Sequence, residues 1–253
     1  MYADIRDVLI ISTPEHLPLY EILLGDGTHI GINITYQVQE KPLGLAEAFI
    51  LGETFLNGQA CCLALGDNVF YGQAFSLMLQ AAKARVLTKG GATIFGYPVQ
   101  NPKEFGVVAF DGQGKVTSIE EKPTHPKSNY AVPGLYFYDN HVVDIAKEIT
   151  PSDRGELEIT SINNHYLAKQ KLYVEPLGRG MSWIDTGSAD RMLKASAFVQ
   201  SVQEMQGFYL SCIEEIAWRK GFITTEQLVA LGKELYMTDY GQYLLAISTE
   251  NDS

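Results

Sequence analysis

The chain alternates short β-branched runs with stretches of helical spacing, and this alternation constrains its fold more than any other feature. Residues 8–13 (VLIIST) form a continuous apolar run, which is typical of a parallel strand buried on both faces. Further strands are predicted at residues 33–39, 61–65 and 91–99, and helices at residues 44–56 and 73–87. This β-α-β order predicts an α/β fold in which helices cover a sheet.

The middle and the C-terminal part of the sequence have different patterns. Residues 106–121 predict a β-hairpin around the turn-rich sequence DGQG, and residues 129–139 predict a strand interrupted by a Pro-Gly pair. From about residue 188 onward the spacing is mostly helical. We therefore predict an α/β core at residues 1–200 and a helical C-terminal part at residues 201–253.

Composition and charge narrow the classes of protein that this chain fits. Its 46% hydrophobic and 19% charged residues are ordinary for a soluble globular protein. The net charge of −11 disfavours partners such as nucleic acids or acidic membranes, because both need a basic surface. No apolar run approaches the roughly 20 residues of a membrane span, and three cysteines without a signal peptide fit a reduced cytoplasm. We expect a cytoplasmic protein with neither nucleic-acid nor membrane partners, while a phosphate-bearing substrate stays possible.

Two aspartates at the ends of short apolar runs are candidate metal ligands. Asp67 follows the run CCLALG, and Asp185 ends the run SWID. In open α/β sheets the ligand crevice lies outside the carboxyl ends of the strands, and Mg²⁺ takes one or two carboxylates together with phosphate oxygens. The alternatives are an ordinary Gly-Asp-Asn turn at Asp67 and a helix cap at Asp185. Taken together, the two aspartates suit a Mg²⁺–nucleotide complex.

Residues near other strand and helix ends are candidate ligands for a sugar phosphate and a base. Lys122 suits a phosphate as a compact point charge, and Glu121 can accept hydrogen bonds from sugar hydroxyls. Arg154 is a second phosphate candidate, and Gly44 would let the backbone approach a base or a ribose. The alternatives are a solvated charge cluster, acids such as Glu158 that complement a helix dipole, and an ordinary helix-start glycine.

Aromatic and histidine patterns suggest no further catalytic groups. Tyr136 and Tyr138 lie on one face of a predicted strand, which is more typical of core residues than of catalytic acids. The five histidines have no metal-ligand spacing and no visible Ser or Cys partner pattern. A hydrolase triad is therefore not supported.

The order and spacing of these motifs resemble those of bacterial glucose-1-phosphate thymidylyltransferases. The shared strings extend through nearly the whole chain and include Gln39 with PLGLAEAF, LGDN, EFGVV, EEKP, KSNYAVPGLYFYDN, RGELEITSIN and WIDTG. The C-terminal strings EEIAWR and YGQYLL favour the thymidylyl group over uridylyl or adenylyl relatives. The resemblance implies a Rossmann-like nucleotidyltransferase fold with a mixed, mostly parallel sheet between helices.

The resemblance also implies a reaction and a set of residue roles. An oxygen of glucose 1-phosphate would attack the α-phosphorus of dTTP and release pyrophosphate, so that catalysis rests on alignment and charge neutralisation. The implied context is Mg²⁺-dependent dTDP-sugar synthesis of the rhamnose type, for surface polysaccharide, by a homotetramer. The implied metal ligands are Asp67 and Asp185, and the implied catalytic residues are these two together with Lys122. The implied nucleotide contacts are Gln39, Gly44 and Asp67. The implied substrate contacts are Phe105, Gly106, Glu121, Lys122, Val132, Tyr136, Arg154 and Trp183.

The sequence departs from the family pattern at its N-terminus. Family members begin with a buried strand and a glycine-rich loop that wraps the triphosphate, and residues 1–7 align with the end of the first helix of the family. We therefore expect an N-terminally truncated chain that lacks this first strand and loop. Losing a single such donor can cost about 10²–10³ in rate, so the resemblance predicts little turnover. Unpaired backbone along residues 8–13 and 61–65 would also destabilise the protein.

Three alternatives to an active thymidylyltransferase follow from the sequence. The chain would be a non-catalytic fragment or a modulator of a full-length paralogue, or it would be a sugar nucleotidyltransferase that uses UTP. An unrelated nucleotide-binding oxidoreductase is disfavoured, because no GxGxxG motif follows a predicted strand.

Overall fold

The computed structural model describes residues 1–250, which form two compact units. The terminal unit combines residues 1–38 with the residues from 193 onward, and the central unit comprises residues 39–192. The predicted boundary near residue 200 therefore falls inside the terminal unit. All the candidate site residues lie in the central unit.

The helices and strands agree closely with the sequence pattern. The strands are β1 (Asp7–Ser12), β2 (Asn33–Val38), β3 (Cys61–Ala64), β4 (Asn68–Tyr71), β5 (Ala92–Pro98), β6 (Gly106–Phe110), β7 (Val116–Glu121), β8 (Tyr130–Ala131), β9 (Leu135–Tyr138), β10 (Leu172–Pro176) and β11 (Ser182–Asp185). The α-helices are α1 (Leu17–Leu24), α2 (Glu47–Leu51), α3 (Glu53–Leu56), α4 (Phe75–Lys89), α5 (Val142–Glu148), α6 (Ile159–Ala168), α7 (Ala189–Gln206), α8 (Ile213–Arg219), α9 (Thr225–Glu234) and α10 (Asp239–Ile247). Short 3₁₀ helices cover Thr28–Ile30 and Pro102–Glu104.

The terminal unit joins the N-terminal strands to the C-terminal helices. Strands β1 and β2 pair in parallel from Asp7↔Asn33 to Ser12↔Val38. Ile30 and Ile32 share a buried cluster with Leu228 and Leu244 of α9 and α10. This shared apolar cluster explains why the first 38 residues group with the C-terminal helices. The burial of β1 on both faces that we predicted is not found, since its residues are half-buried or exposed.

The sheet of the central unit is mixed. Strand β5 pairs in parallel with β10 and antiparallel with β8 and β9, while β3 adds to β9, and the hairpin β6–β7 adds to β8. The α/β class with a mixed sheet is confirmed. Across residues 1–250, however, β1–β2 and β5–β10 are the parallel pairings, so parallel strands do not predominate. The reason is that a hairpin and short connections link the strands of residues 106–138, and short connections allow antiparallel neighbours.

Strands β1 and β3, where the sequence analysis expects unpaired backbone, each have one hydrogen-bonded neighbour within the described part of the chain. Strand β1 pairs with β2, and β3 pairs with β9. Each therefore has a free strand edge of the kind that favours association with other strands. The destabilisation inferred from the sequence stays a prediction.

A buried polar network fixes the core of the central unit. Asp139, directly after β9, accepts hydrogen bonds from the backbone N–H of Gly91 at 2.5 Å and from the hydroxyl of Tyr166 in α6 at 2.6 Å. Tyr138 is fully buried and donates to Asn163 Oδ1 at 2.6 Å. Burial and the bond to Asp139 raise the pKa of Tyr166, which keeps its hydroxyl as a donor. These bonds attach α6 to the sheet and so position the residues that precede α6.

No helix within residues 1–250 is both long and apolar enough to cross a lipid bilayer.

Candidate active site

Strands β4 and β11 bring the two predicted metal ligands together. They pair antiparallel, with Asn68 opposite Asp185, so that Asp67 and Asp185 lie at the same end of the pair. The backbone carbonyl of Asp67 accepts hydrogen bonds from the N–H of Thr186 at 2.8 Å and from its hydroxyl at 2.9 Å. These bonds continue the pairing by one residue and hold the two aspartates side by side.

Gly187 shows how close the two carboxylates lie. A Cβ atom on Gly187 would stand 2.9 Å from Asp185 Oδ1 and 3.5 Å from Asp67 Oδ2. Both carboxylates therefore face one small space that a side chain at position 187 would fill. The N–H of Gly187 also donates to Asp185 Oδ1 at 2.7 Å, which fixes the orientation of that carboxylate.

This pair of carboxylates fits a divalent cation that also binds phosphate. Mg²⁺ in nucleotide sites is held by one or two carboxylates together with phosphate oxygens and water. Within residues 1–250, no group of three or more His, Cys, Asp or Glu side chains is arranged to hold a metal. The donor set thus suits a cation that shares its ligands with a substrate better than a permanently bound structural metal.

Asn68 is a functional candidate that the sequence analysis missed. Its Nδ2 donates to Asp67 Oδ1 at 2.7 Å, and its Oδ1 accepts from Trp183 Nε1 at 2.5 Å and from the N–H of Gly134 at 3.2 Å. Asn68 therefore orients Asp67 and ties it to β11. The signal was present in the string LGDN, whose asparagine we had assigned only to a turn.

Arg191 in the first turn of α7 also touches the paired aspartates. Its Nη1 donates to Asp185 Oδ2 at 2.9 Å, and its Nη2 pairs with Glu104. The guanidinium carbon lies 5.6 Å from the centroid of the Phe105 ring. No sequence motif pointed to this arginine, because its partners are distant along the chain.

An aromatic cluster links the aspartates to the predicted sugar contacts. The rings of Phe105 and Trp183 meet edge to face at 5.1 Å, and Tyr97 packs against Trp183 at 5.8 Å. Trp183 precedes Asp185 by two residues, and Phe105 immediately precedes Gly106. The predicted pocket residues Phe105 and Trp183 therefore do lie together.

The start of the hairpin β6–β7 gathers four candidate or newly found residues. Gly106 pairs with Glu121, and its carbonyl accepts from the N–H of Val132 at 2.8 Å. A Cβ atom on Gly106 would lie 3.4 Å from Glu121 Oε2 and 3.4 Å from the hydroxyl oxygen of Thr160. Thr160 donates to Glu121 Oε2 at 2.6 Å, so this threonine joins the predicted trio. The arrangement offers a carboxylate, a hydroxyl and close backbone to a polyhydroxylated ligand.

Arg154 is held beside this trio by a buried carboxylate. Glu158 Oε1 accepts from Arg154 Nη2 at 2.8 Å, from Arg154 Nε at 3.1 Å and from Ser152 Oγ at 2.7 Å. Nη2 also lies 3.7 Å from Glu121 Oε1. The bond to Glu158 raises the pKa of the guanidinium, so Arg154 is a permanent cation. We had assigned Glu158 to a helix dipole, and the structure gives it the further task of holding Arg154.

Lys122 and Tyr136 occupy contrasting environments. Lys122 is exposed, has the left-handed φ of +41°, and donates its N–H to the carbonyl of Phe105 at 3.0 Å. Tyr136 is 4% exposed and belongs to the core, where burial and the charge of Glu121 raise its pKa. Tyr136 therefore lies in the core near Glu121, and its predicted contact with substrate stays a prediction.

The two predicted base contacts, Gln39 and Gly44, have visible structural roles. Gln39 Nε2 donates to Glu47 Oε2 at 2.6 Å. Gly44 has φ +107°, and a Cβ atom there would lie 2.4 Å from the carbonyl oxygen of Leu157. We had explained Gly44 by the approach of a base or ribose. The structure gives the glycine a packing role as well, because residues 43–46 approach Leu157, which also bonds Leu43 and Ala46. The contact with a base or ribose stays a prediction.

Comparison with known proteins identifies the family. The family model described as nucleotidyl transferase matches residues 1–202. The chain belongs to the nucleotidyl transferase family. It is 50% identical over 247 residues to a glucose-1-phosphate thymidylyltransferase of Neisseria meningitidis, a match that takes in 98% of this chain and 85% of the relative. It is 47% identical over 251 residues to the enzyme of the same name from Mycobacterium tuberculosis, covering 99% of this chain and 86% of that one.

Solved structures agree with this assignment. A Bacillus anthracis protein in complex with sucrose, provisionally assigned to the glucose-1-phosphate thymidylyltransferases, matches with a TM-score of 0.69 and 37% identity over 78% of this chain and 79% of its own. A UDP-glucose pyrophosphorylase complexed with UDP-glucose has a TM-score of 0.65 over 79% of this chain and 83% of its own, and at 20% identity it supports the fold alone. The predicted family is confirmed. The predicted N-terminal truncation is not borne out, because the sequence matches take in nearly all of this chain.

Proposed function

We propose that this chain transfers the thymidylyl group of dTTP to glucose 1-phosphate, forming dTDP-glucose and pyrophosphate. The observation that carries the proposal is the pairing of Asp67 and Asp185 around Gly187. It is supported by the aromatic link from these aspartates to the cluster of Glu121, Thr160 and Arg154. The names of the curated relatives supply the nucleotide and the sugar.

Each part of the site has a task in this reaction. Mg²⁺ held by Asp67 and Asp185 would neutralise the phosphate oxygens of the nucleotide. Arg154 and Lys122 carry the positive charge that binds the phosphate of the sugar and keeps its oxygen aligned for in-line attack. Glu121 accepts hydrogen bonds from the sugar hydroxyls.

The remaining assignments set specificity. Gln39, oriented by Glu47, and the backbone at Gly44 would read the thymine. Phe105, Gly106, Val132 and Trp183 would shape the sugar pocket. The competing assignment is that the enzyme uses UTP instead of dTTP. In that case Gln39 would contact uracil instead of thymine, and the proposed metal and sugar sites would be the same.

We also propose a homo-oligomeric, cytoplasmic protein whose product enters dTDP-rhamnose-type synthesis for a surface polysaccharide. The oligomer is an expectation from the resemblance, with a tetramer as the form to test. Light scattering coupled to size exclusion measures the mass of the assembly directly, and a monomeric mass would contradict the expectation.

Pyrophosphate release tests the proposed reaction. The purified protein is given Mg²⁺ and glucose 1-phosphate with either dTTP or UTP, beside the variants Asp67→Asn and Asp144→Asn. Asp144 is an exposed acid in the first turn of α5, so its change removes the same charge away from the site. We expect release with dTTP that falls about 10²–10³-fold in Asp67→Asn and persists in Asp144→Asn. No release from folded protein would instead favour a non-catalytic modulator.

A further inference from the structure

Arg191 carries a positive charge directly into the proposed cation site. Asp185 has two carboxylate oxygens, and each one already has a hydrogen-bond donor. Oδ1 accepts from the N–H of Gly187 at 2.7 Å, and Oδ2 accepts from Arg191 Nη1 at 2.9 Å. A cation that binds Asp185 through Oδ2 must therefore share that oxygen with a guanidinium or displace it.

We propose that Arg191 is a built-in competitor that lowers and sets the divalent-cation affinity of the Asp67–Asp185 site. The proposal rests on the assignment of these aspartates to a metal under the proposed function. It goes beyond that function by assigning a regulatory task to a residue that has no role in the proposed reaction. The competing partner is the side chain of this chain itself.

Electrostatics gives the direction of the effect. A guanidinium at 2.9 Å from Asp185 neutralises part of the charge that would attract a dication, and it also repels the dication itself. The carboxylate of Asp67 instead accepts a hydrogen bond from the neutral amide of Asn68 at 2.7 Å, and Thr186 donates to the backbone carbonyl of Asp67. Removing the charge of Arg191 therefore strengthens cation binding.

Glu104 and Phe105 make the competition reversible. Glu104 pairs with the other terminal nitrogen of Arg191, and the Phe105 ring lies beneath the guanidinium. An arginine released from Asp185 keeps both of these partners. Its displacement therefore costs one hydrogen-bonded ion pair and leaves the guanidinium anchored.

The test is a titration with Mn²⁺ alone, followed by the paramagnetic signal of the free ion. It compares the full chain with Arg191→Gln, Arg191→Lys and Arg85→Gln. Arg85 is a matched control, because it also pairs with a glutamate, Glu175, and lies over an aromatic ring, Tyr173, away from the two aspartates. Both glutamine variants change the net charge equally, so a general charge effect would appear in both.

We expect Arg191→Gln to bind Mn²⁺ about 10-fold more tightly than the unchanged protein, with Arg191→Lys in between and Arg85→Gln unchanged. Equal or weaker Mn²⁺ binding by Arg191→Gln would overturn the proposal, and weaker binding would show that Arg191 supports the site. A similar gain in Arg85→Gln would overturn it as well, by showing a general charge effect.

Asp185→Asn separates this inference from the proposed function. If Asp185→Asn loses Mn²⁺ while Arg191→Gln shows no gain, the metal assignment holds and the competition is wrong. If Asp185→Asn binds Mn²⁺ as well as the unchanged protein does, the metal assignment itself fails, and the inference fails with it. If neither the unchanged protein nor any variant binds Mn²⁺, the metal assignment and the inference both fail.

Discussion

Arg191 and Arg154 of the central unit each form ion pairs with carboxylates, yet one is proposed to weaken ligand binding and the other to strengthen it. Arg191 lies between Glu104 and Asp185. In the ion pair of Arg191 with Asp185, the carboxylate is the group proposed to bind the ligand, a divalent cation. Arg154 lies among Glu121, Glu156 and Glu158, and there the arginine itself is the proposed ligand-binding group. An ion pair at a site thus strengthens or weakens binding according to which partner faces the ligand.

The two clusters also differ in how firmly the arginine is held. Glu158 is 8% exposed and takes three hydrogen bonds on a single oxygen, so it has little freedom to release Arg154. Asp185 takes a single hydrogen bond from Arg191 and its side chain is 21% exposed, so this ion pair opens more easily. The cluster around Arg154, the phosphate end of the site, therefore holds its arginine in one position. The cluster around Asp185, the metal end of the site, allows its arginine to be exchanged for a cation.

The largest effect that tests this contrast is expected from Arg154→Gln. Loss of a fixed cation should raise the KM for glucose 1-phosphate about 30- to 100-fold, as expected for a hydrogen bond to a charged group. Steady-state kinetics with varied glucose 1-phosphate measures the change, and Arg85→Gln is the control. An unchanged KM would remove Arg154 from the phosphate site and break the comparison.

Gly187→Ala probes the metal end by geometry alone. The added Cβ would lie 2.9 Å from Asp185 Oδ1 and 3.5 Å from Asp67 Oδ2, so the Asp185 carboxylate must shift out of its present position. We expect Mn²⁺ to bind about 20-fold more weakly, an effect comparable to a shift of one charged ligand. Gly178→Ala is the matched control, since a Cβ there meets no atom within 4 Å. Equal Mn²⁺ affinities in the two variants would contradict the shared cation site.

Glu158→Gln should have the smallest effect of the three. The amide keeps the shape of the side chain but loses the charge that orients Arg154, so the KM for glucose 1-phosphate should rise about 10-fold with little change in kcat. Glu156→Gln is its control, because Glu156 lies 3.6 Å from the same guanidinium nitrogen and is 42% exposed. Parallel losses of kcat in both variants would indicate general damage to the site instead of lost positioning.

Local sequence patterns predicted most of the secondary structure, because each segment carries its own periodicity. Strand β2 (Asn33–Val38) coincides with the strand predicted at residues 33–39, and the interruption of the strand at Pro133 and Gly134 appears as the break between β8 and β9. Helix α1 and strand β4 were missed, since Leu17–Leu24 follows no clear capping signal and Asn68–Tyr71 was interpreted as the end of a turn.

The sequence by itself determined the family, the alternation of strands and helices, and the identity of the carboxylates and cations. Only the tertiary structure decided which of them meet. Asn68 and Trp183, 115 residues apart, are joined by the pairing of β4 with β11. Arg191 reaches Glu104 across 87 residues. Such contacts depend on strand register and on helix placement, and neither quantity is encoded in the periodicity of a single segment.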